Sequence, residues 1–192
     1  MREGDDLFFA PGVRFSDVDL LGPRLAEHYR ARIYGFYLDP ARLCIHHGYA
    51  FAAGLLLVST IDFMAGLHHS AEALDGREVG DDFRRFARQK LRSFASDDLA
   101  RRLYSHFRNG LSHEARMKNG GEFSFNWRQT VRQLGGRLCI NPANLLEEVE
   151  EALERQLAEL SENNAMRAQA AERLRTLFAR EFGIIERGRR AV

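Results

Sequence analysis

Two cysteines in 192 residues, Cys44 and Cys139, are too few for a disulfide framework. Both sit in apolar settings, where inert buried thiols are commoner than nucleophiles. Charge of one sign is also missing. Twenty-eight basic residues stand against 27 acidic ones, a net charge of +1, so only local patches can attract nucleic acid. Lysine is scarce: 26 of the 28 basic residues are Arg, the others being Lys90 and Lys118, a skew that GC-rich coding produces. There is no phosphate loop, dinucleotide glycine fingerprint or nucleophile elbow, so no cofactor is implied. His113-Glu114 runs into Ala115, Arg116 and Met117 rather than a second His, so H-E-x-x-H is absent. The pairs His46-His47 and His68-His69 would lie ~33 Å apart along one straight helix and cannot share an ion. No metal site is assigned.

A spanning apolar run is lacking too. Tyr49 to Ile61 is 13 residues broken only by Ser59 and Thr60, and it meets Asp62. A membrane span needs ~20 apolar residues, and an acid at the bilayer centre adds ~2.5–3.5 kcal/mol. The run reads as the central helix of a soluble bundle, with no membrane partner. Met1 to Asp6 is acidic and has no apolar signal region, which makes a reducing cytoplasm the expected compartment. Internal repeats and low-complexity stretches are absent.

What is present is ordinary globular composition, 45% hydrophobic and 29% charged, with four prolines and many Ala, Leu, Arg and Glu. A single domain of this length buries roughly 70% of its unfolded surface. The expected class is mostly α, a helical bundle of about six helices with a small inserted β-hairpin.

Residues 1–19 have no clean period and read as an irregular arm. Helical spacing of Leu25, Tyr29 and Ile33 predicts a first helix from Gly22-Pro23 to about Leu38. Asp39-Pro40 stops it and caps a second, running from Ala41 to about His69. Gly76 to Gly80 is a loop. A third helix follows Asp81 or Asp82, burying Phe83, Phe86, Ala87, Leu91 and Phe94. Ser96-Asp97-Asp98 caps a fourth, from Leu99 to about Lys118. Phe123, Phe125 and Trp127 alternate like a strand, and Arg137 to Ile140 reads as its antiparallel partner, making a hairpin over 121–141. Asn141-Pro142 opens a helix with Leu146, Val149, Leu153, Leu157 and Leu160 inside. Glu147, Glu148, Glu150, Glu151, Glu154 and Glu159 lie outside. A last helix buries Leu174, Phe178 and Phe182 and stops at Gly183, before a basic tail with Arg187, Arg189 and Arg190.

The fourth helix carries the most informative pattern. Arg102, His106, Asn109, His113 and Arg116 recur at spacings of four, three, four and three, so they share one face. Leu103, Tyr104, Phe107 and Leu111 take the other. Two His, one Asn and two Arg differ from the usual Glu/Lys solvated face, although an amphipathic helix with an Arg-rich exposed side gives the same pattern.

Within it, Arg108-Asn109-Gly110-Leu111-Ser112-His113 reads R-N-x-x-x-H. This resembles the R-x(4–6)-H motif of the HEPN (higher eukaryotes and prokaryotes nucleotide-binding) superfamily, in which a polar residue often follows the Arg. The setting is similar as well: a late helix of a small bundle, behind a long apolar helix. The resemblance covers about residues 22 to 120. It implies a dimeric, metal-independent endoribonuclease of the kind found in toxin–antitoxin, CRISPR and phage-defence systems. A non-catalytic RNA-binding, nucleotide-binding or protein-interaction module is the alternative.

The chemistry suits the residue types. RNA carries its own nucleophile, the 2′-hydroxyl, and a His titrating near pH 6.5 can take its proton or protonate the leaving 5′-oxygen. An Arg fork meets the charge developing on the phosphate oxygens, bidentately, as Lys cannot. His113 is therefore assigned to proton transfer, Arg108 to phosphate stabilisation and Asn109 to orienting the His or the phosphate. Positions five apart differ by ~140° around a straight helix, so Arg108 and His113 do not project together unless the helix is distorted near Gly110. Two copies about a two-fold axis bring both motifs into one cleft, and a homodimer is expected.

Residues 77 to 108 hold nine basic and five acidic side chains. Arg84, Arg85, Arg88 and Arg92 on the third helix, with Arg102, His106 and Arg116 on the fourth, are the candidate RNA-binding residues; a merely solvated face is the competing reading. Asp62, an isolated acid in an apolar helix, needs a partner: a motif Arg, or a neighbouring helix. The acidic helix, seven Glu to one Arg across residues 142 to 162, could instead dock a basic protein such as an antitoxin.

Overall fold

The computed structural model describes residues 2–3, 6–68, 80–110 and 120–190. The fold is mostly α. The chain begins with strands β1 (Arg2–Glu3), β2 (Asp6–Ala10) and β3 (Val13–Arg14), then helix α1 (Leu25–Ile33). Helices α2 (Asp39–His46), α3 (Ala50–His68), α4 (Asp81–Lys90) and α5 (Asp97–Arg102) follow. Strands β4 (Gly121–Phe123), β5 (Val131–Leu134) and β6 (Arg137–Ile140) precede α6 (Pro142–Glu162), α7 (Asn164–Leu177) and α8 (Ala179–Arg190). These elements sort into two compact units, Met1–Phe36 with Arg155–Val192, and Tyr37–Glu154.

In the first unit the expected irregular arm is instead an antiparallel sheet in the order β1-β2-β3. A register shift between Phe8 and Ala10 breaks the alternation that would have marked a strand. Phe9 and Ala10 are fully buried. Phe9, Phe15, Phe178 and Phe182 meet edge to face at centroid distances of 5.2 to 5.9 Å. Leu25, Tyr29 and Ile33 face inward as their spacing predicts, and the buried Tyr29 hydroxyl donates to Gln156 Oε1 at 3.2 Å. Asn163 caps α7, accepting from the amides of Ala165 and Met166. The last helix does not stop at Gly183. The break falls earlier, at Phe178, and α8 continues through Gly183 to Arg190, with Phe182 half-buried against Phe15.

In the second unit the long helix expected from Ala41 is two helices. Asp39 is already helical, and Leu38 before it has helical angles. Gly48, at φ 75°, ends α2 in a Schellman motif: its N–H bonds Ile45 O at 3.0 Å and the Tyr49 N–H bonds Cys44 O at 2.8 Å. Only one side of α3 is central. Ala53, Leu57, Val58, Ile61, Met64 and Ala65 are buried, whereas Phe51 and Leu55 are exposed. By length and composition α3 could cross a membrane, yet half of its most apolar window is buried inside the protein.

The stripe Phe83, Phe86, Ala87, Leu91 and Phe94 is buried as predicted. Ser96 Oγ accepts from the Leu99 amide at 3.2 Å, the expected N-cap. The second sheet differs from the expected hairpin. Gly135-Gly136 does join two antiparallel strands, but the partner of β6 is β5, with Val131 opposite Ile140. Gly121 to Phe123 pairs with the other edge of β6 in parallel. Asn141 caps α6 by accepting from Ala143, and its amide donates to Trp127 O.

One residue of the acidic face is misplaced by the helical pattern. Glu148 is buried and accepts from the Ser93 amide at 3.0 Å, Ser93 Oγ at 2.5 Å and Thr130 Oγ1 at 2.8 Å. Three donors offset the desolvation of the carboxylate.

Candidate functional site

The motif helix begins at the Ser96 cap and is distorted before the motif is reached. Leu103 to Arg108 is a π-helical turn, in which the Asn109 N–H donates to Tyr104 O, five residues back. One inserted residue rotates the following side chains by about 100° relative to an ideal α-helix. The even polar stripe is also broken before the turn ends. His106 is buried, 9% exposed, and Arg102 turns onto the hairpin, donating to Gln133 Oε1 and to Gly136 O, both at 2.8 Å. These two expected RNA-contacting residues therefore support the fold of the motif helix. Neither lies on an open face.

Burial, and then the nearby Arg102 charge, hold the His106 imidazole below its ordinary pKa. Its Nδ1 is buried without a hydrogen-bond partner among the described residues. Cys139 is buried as well, and desolvation followed by the charge of Glu122 pushes its thiol up, away from nucleophilic use.

Arg108 emerges at the end of the π turn and meets Asp62. Its Nε and Nη2 both donate to Asp62 Oδ2, at 3.3 and 3.1 Å. The isolated acid of α3 thus pairs with the motif arginine, one of the two partners its sequence setting allows. The guanidinium lies 5.6 Å from the centre of the Tyr104 ring, and that of Arg84 lies 5.7 Å from the same ring. Tyr104 packs so closely on Gly80 that a Cβ there would stand 2.2 Å from the ring. Asn109 Oδ1 accepts a long, 3.4 Å contact from Arg108 Nη1. A guanidinium has five N–H groups. Asp62 engages two and Asn109 one. Two remain unengaged among the described residues, on a side chain that is 24% exposed. Asp62, Tyr104 and Gly80 were not assigned to the site by their pattern. Only the isolation of Asp62 signalled a role.

His113 and Arg116 lie outside the described residues. So do the end of the fourth helix and the loop from Gly76, apart from Gly80.

α4 ends at Lys90, so Arg92, expected on the same helix, lies in the Arg92–Phe94 turn that follows, and the arginines of both are in part paired with acids. Arg84 pairs with Asp81, Arg88 with Asp97, and Arg92 with Glu151 at 3.1 Å. Arg85 joins Arg84, Arg88 and Arg101 in lining a pocket of about 550 Å³, where Asp81, Asp97 and Asp98 oppose them. Among the described residues no three His, Cys, Asp or Glu side chains are grouped to hold a metal ion. No family model, curated protein or solved structure matches this chain.

Proposed function

We propose that the chain is a HEPN-like, metal-independent endoribonuclease that works as a homodimer in the cytoplasm, in a toxin-like or defence role. The observation that carries this reading is the state of Arg108. It is tethered by Asp62, half-buried, and keeps two N–H groups unengaged by any described residue, beside Asn109 and five residues before His113. In this mechanism His113 takes the proton of the 2′-hydroxyl or supplies one to the departing 5′-oxygen. The 2′-oxygen attacks the adjacent phosphorus, the P–O5′ bond breaks, and the products are a 2′,3′-cyclic phosphate and a 5′-hydroxyl. Arg108 faces the non-bridging oxygens, where charge grows.

Support for two copies comes from α3. Phe51, Leu55, Ser59 and Asp62 follow helical spacing along one face, and Phe51 and Leu55 are exposed, as are Leu43 and Tyr49 nearby in the chain. An exposed apolar face that leads to the partner of Arg108 suits a site shared between copies. The test is cleavage of RNA in EDTA. Wild type is expected to cut, and His113→Ala or Arg108→Ala to lose about 100-fold or more. An inert wild type, or undiminished cutting by His113→Ala, rejects the assignment.

A second reading has its own observation. Pairing of Arg84 and Arg88 on α4, and of Arg92 in the turn after it, with acids reduces the free basic surface there, which favours a non-catalytic RNA-, nucleotide- or protein-binding module of the same fold. Binding of RNA or a nucleotide without turnover would establish it.

A further inference from the structure

We infer that Asp62 is a positioning residue for Arg108: it fixes the guanidinium so that the unengaged N–H groups face an RNA phosphodiester. The inference rests on the nuclease reading and adds to it a residue from a different helix. Arginine has a long, rotamer-rich side chain, and a loose guanidinium would need to be ordered each time a phosphate bound. Here the ordering is built in. Asp62 Oδ2 accepts from both Nε and Nη2, which fixes the plane of the guanidinium as well as its position. The Tyr104 ring lies against it, and Gly80 allows that ring its place.

Asp62 is itself well anchored. It sits between the buried residues Ile61 and Met64 on α3, so its backbone is held by the apolar packing of that helix. The Asp62 side chain is 39% exposed, and Arg108 is the charged partner to which it is bonded. By using the Nε side, and with Asn109 taking one N–H of Nη1, it leaves one N–H of Nη1 and one of Nη2 for a second anion. The arrangement also explains how an arginine stays aimed while partly neutralised: aim is gained at some expense of charge.

The experiment compares wild type, Asp62→Asn, Asp62→Glu, Arg108→Lys and the Asp62→Asn/Arg108→Lys double variant on one short oligoribonucleotide in EDTA. Urea midpoints are recorded in parallel to establish that each variant folds. Asp62→Asn is expected to lower kcat about 10- to 100-fold with KM changed by less than about 3-fold, because misaiming costs the transition state more than the ground state. Asp62→Glu should recover part of that loss. The double variant should lose no more than Arg108→Lys alone, since the two residues act as a unit. Asp62→Asn with wild-type kcat, or losses that multiply in the double variant, overturns the positioning role while leaving the nuclease reading intact. A wild type that leaves the oligonucleotide uncut overturns that reading and the inference with it.

Discussion

At the scale of single residues, the site is organised by which polar groups are held and which are left over. Arg108 is held on one edge and, among the described residues, unengaged on the other. His106, two positions earlier, is enclosed. Its imidazole is kept below its ordinary pKa by burial first and by Arg102 second, so the unfolded chain takes up the proton before the folded one does. Stability therefore rises with pH across the window from the lowered folded value up to about 6.5, and it is lost as pH falls through that window. Between about pH 7.5 and 5.5 the urea midpoint of wild type should fall more than that of His106→Gln. Equal falls would show that His106 carries no such linkage. The enclosure of His106 was not legible in the sequence, because a wheel drawn at 3.6 residues per turn assumes a regular helix. No residue in YSHFRN announces the π turn at Leu103–Arg108.

Among elements, most of the helical interior could be read from spacing alone: Phe83, Phe86 and Phe94, and likewise Leu146, Val149 and Leu153, are buried where the period puts them. Caps were readable in part: Ser96 and Asn141 accept from backbone amides at a helix start as expected, whereas Asp39 and Asp81 lie inside the first turns of α2 and α4, after Leu38 and Gly80. Strand partners were not. Pairing is non-local, and Phe123-Ser124-Phe125 alternates as well as any strand, whereas β5 carries only Val131 and Leu134 as apolar residues. The join between α6, the Arg92–Phe94 turn and the start of β5 depends on Glu148, whose acidic setting disguised it as surface. Truncating it leaves the Ser93 and Thr130 donors without their charged acceptor in a buried place. Glu148→Ala is expected to lower the free energy of unfolding by about 3 kcal/mol. Chemical denaturation measures this directly, and a loss below about 0.5 kcal/mol, the level of an ordinary surface change, would contradict the assigned role.

For the molecule as a whole, the two charge patterns that stand out in the sequence partly answer each other. The arginines of the α4–α5 region and the glutamates of α6 meet at Arg92–Glu151, Arg42 of α2 takes Glu150, and Asp81 and Asp97 take Arg84 and Arg88. What looked like separate surfaces for RNA and for a basic protein is in part internal compensation. In the proposed nuclease the functional weight falls on a small locus, Arg108 with Asn109 and His113, rather than on a broad basic groove. That concentrates the account on one reaction, in which the substrate's own 2′-oxygen is the nucleophile. The most direct measurement is mass analysis of the products from an oligoribonucleotide with one susceptible linkage, incubated in EDTA beside a copy carrying a single 2′-deoxyribose at that linkage. The proposed nuclease is expected to give fragments ending in 2′,3′-cyclic phosphate and 5′-hydroxyl from the first strand and to leave the second intact. Cutting of the deoxy-substituted strand at the same linkage, or products ending in 5′-phosphate, would contradict it.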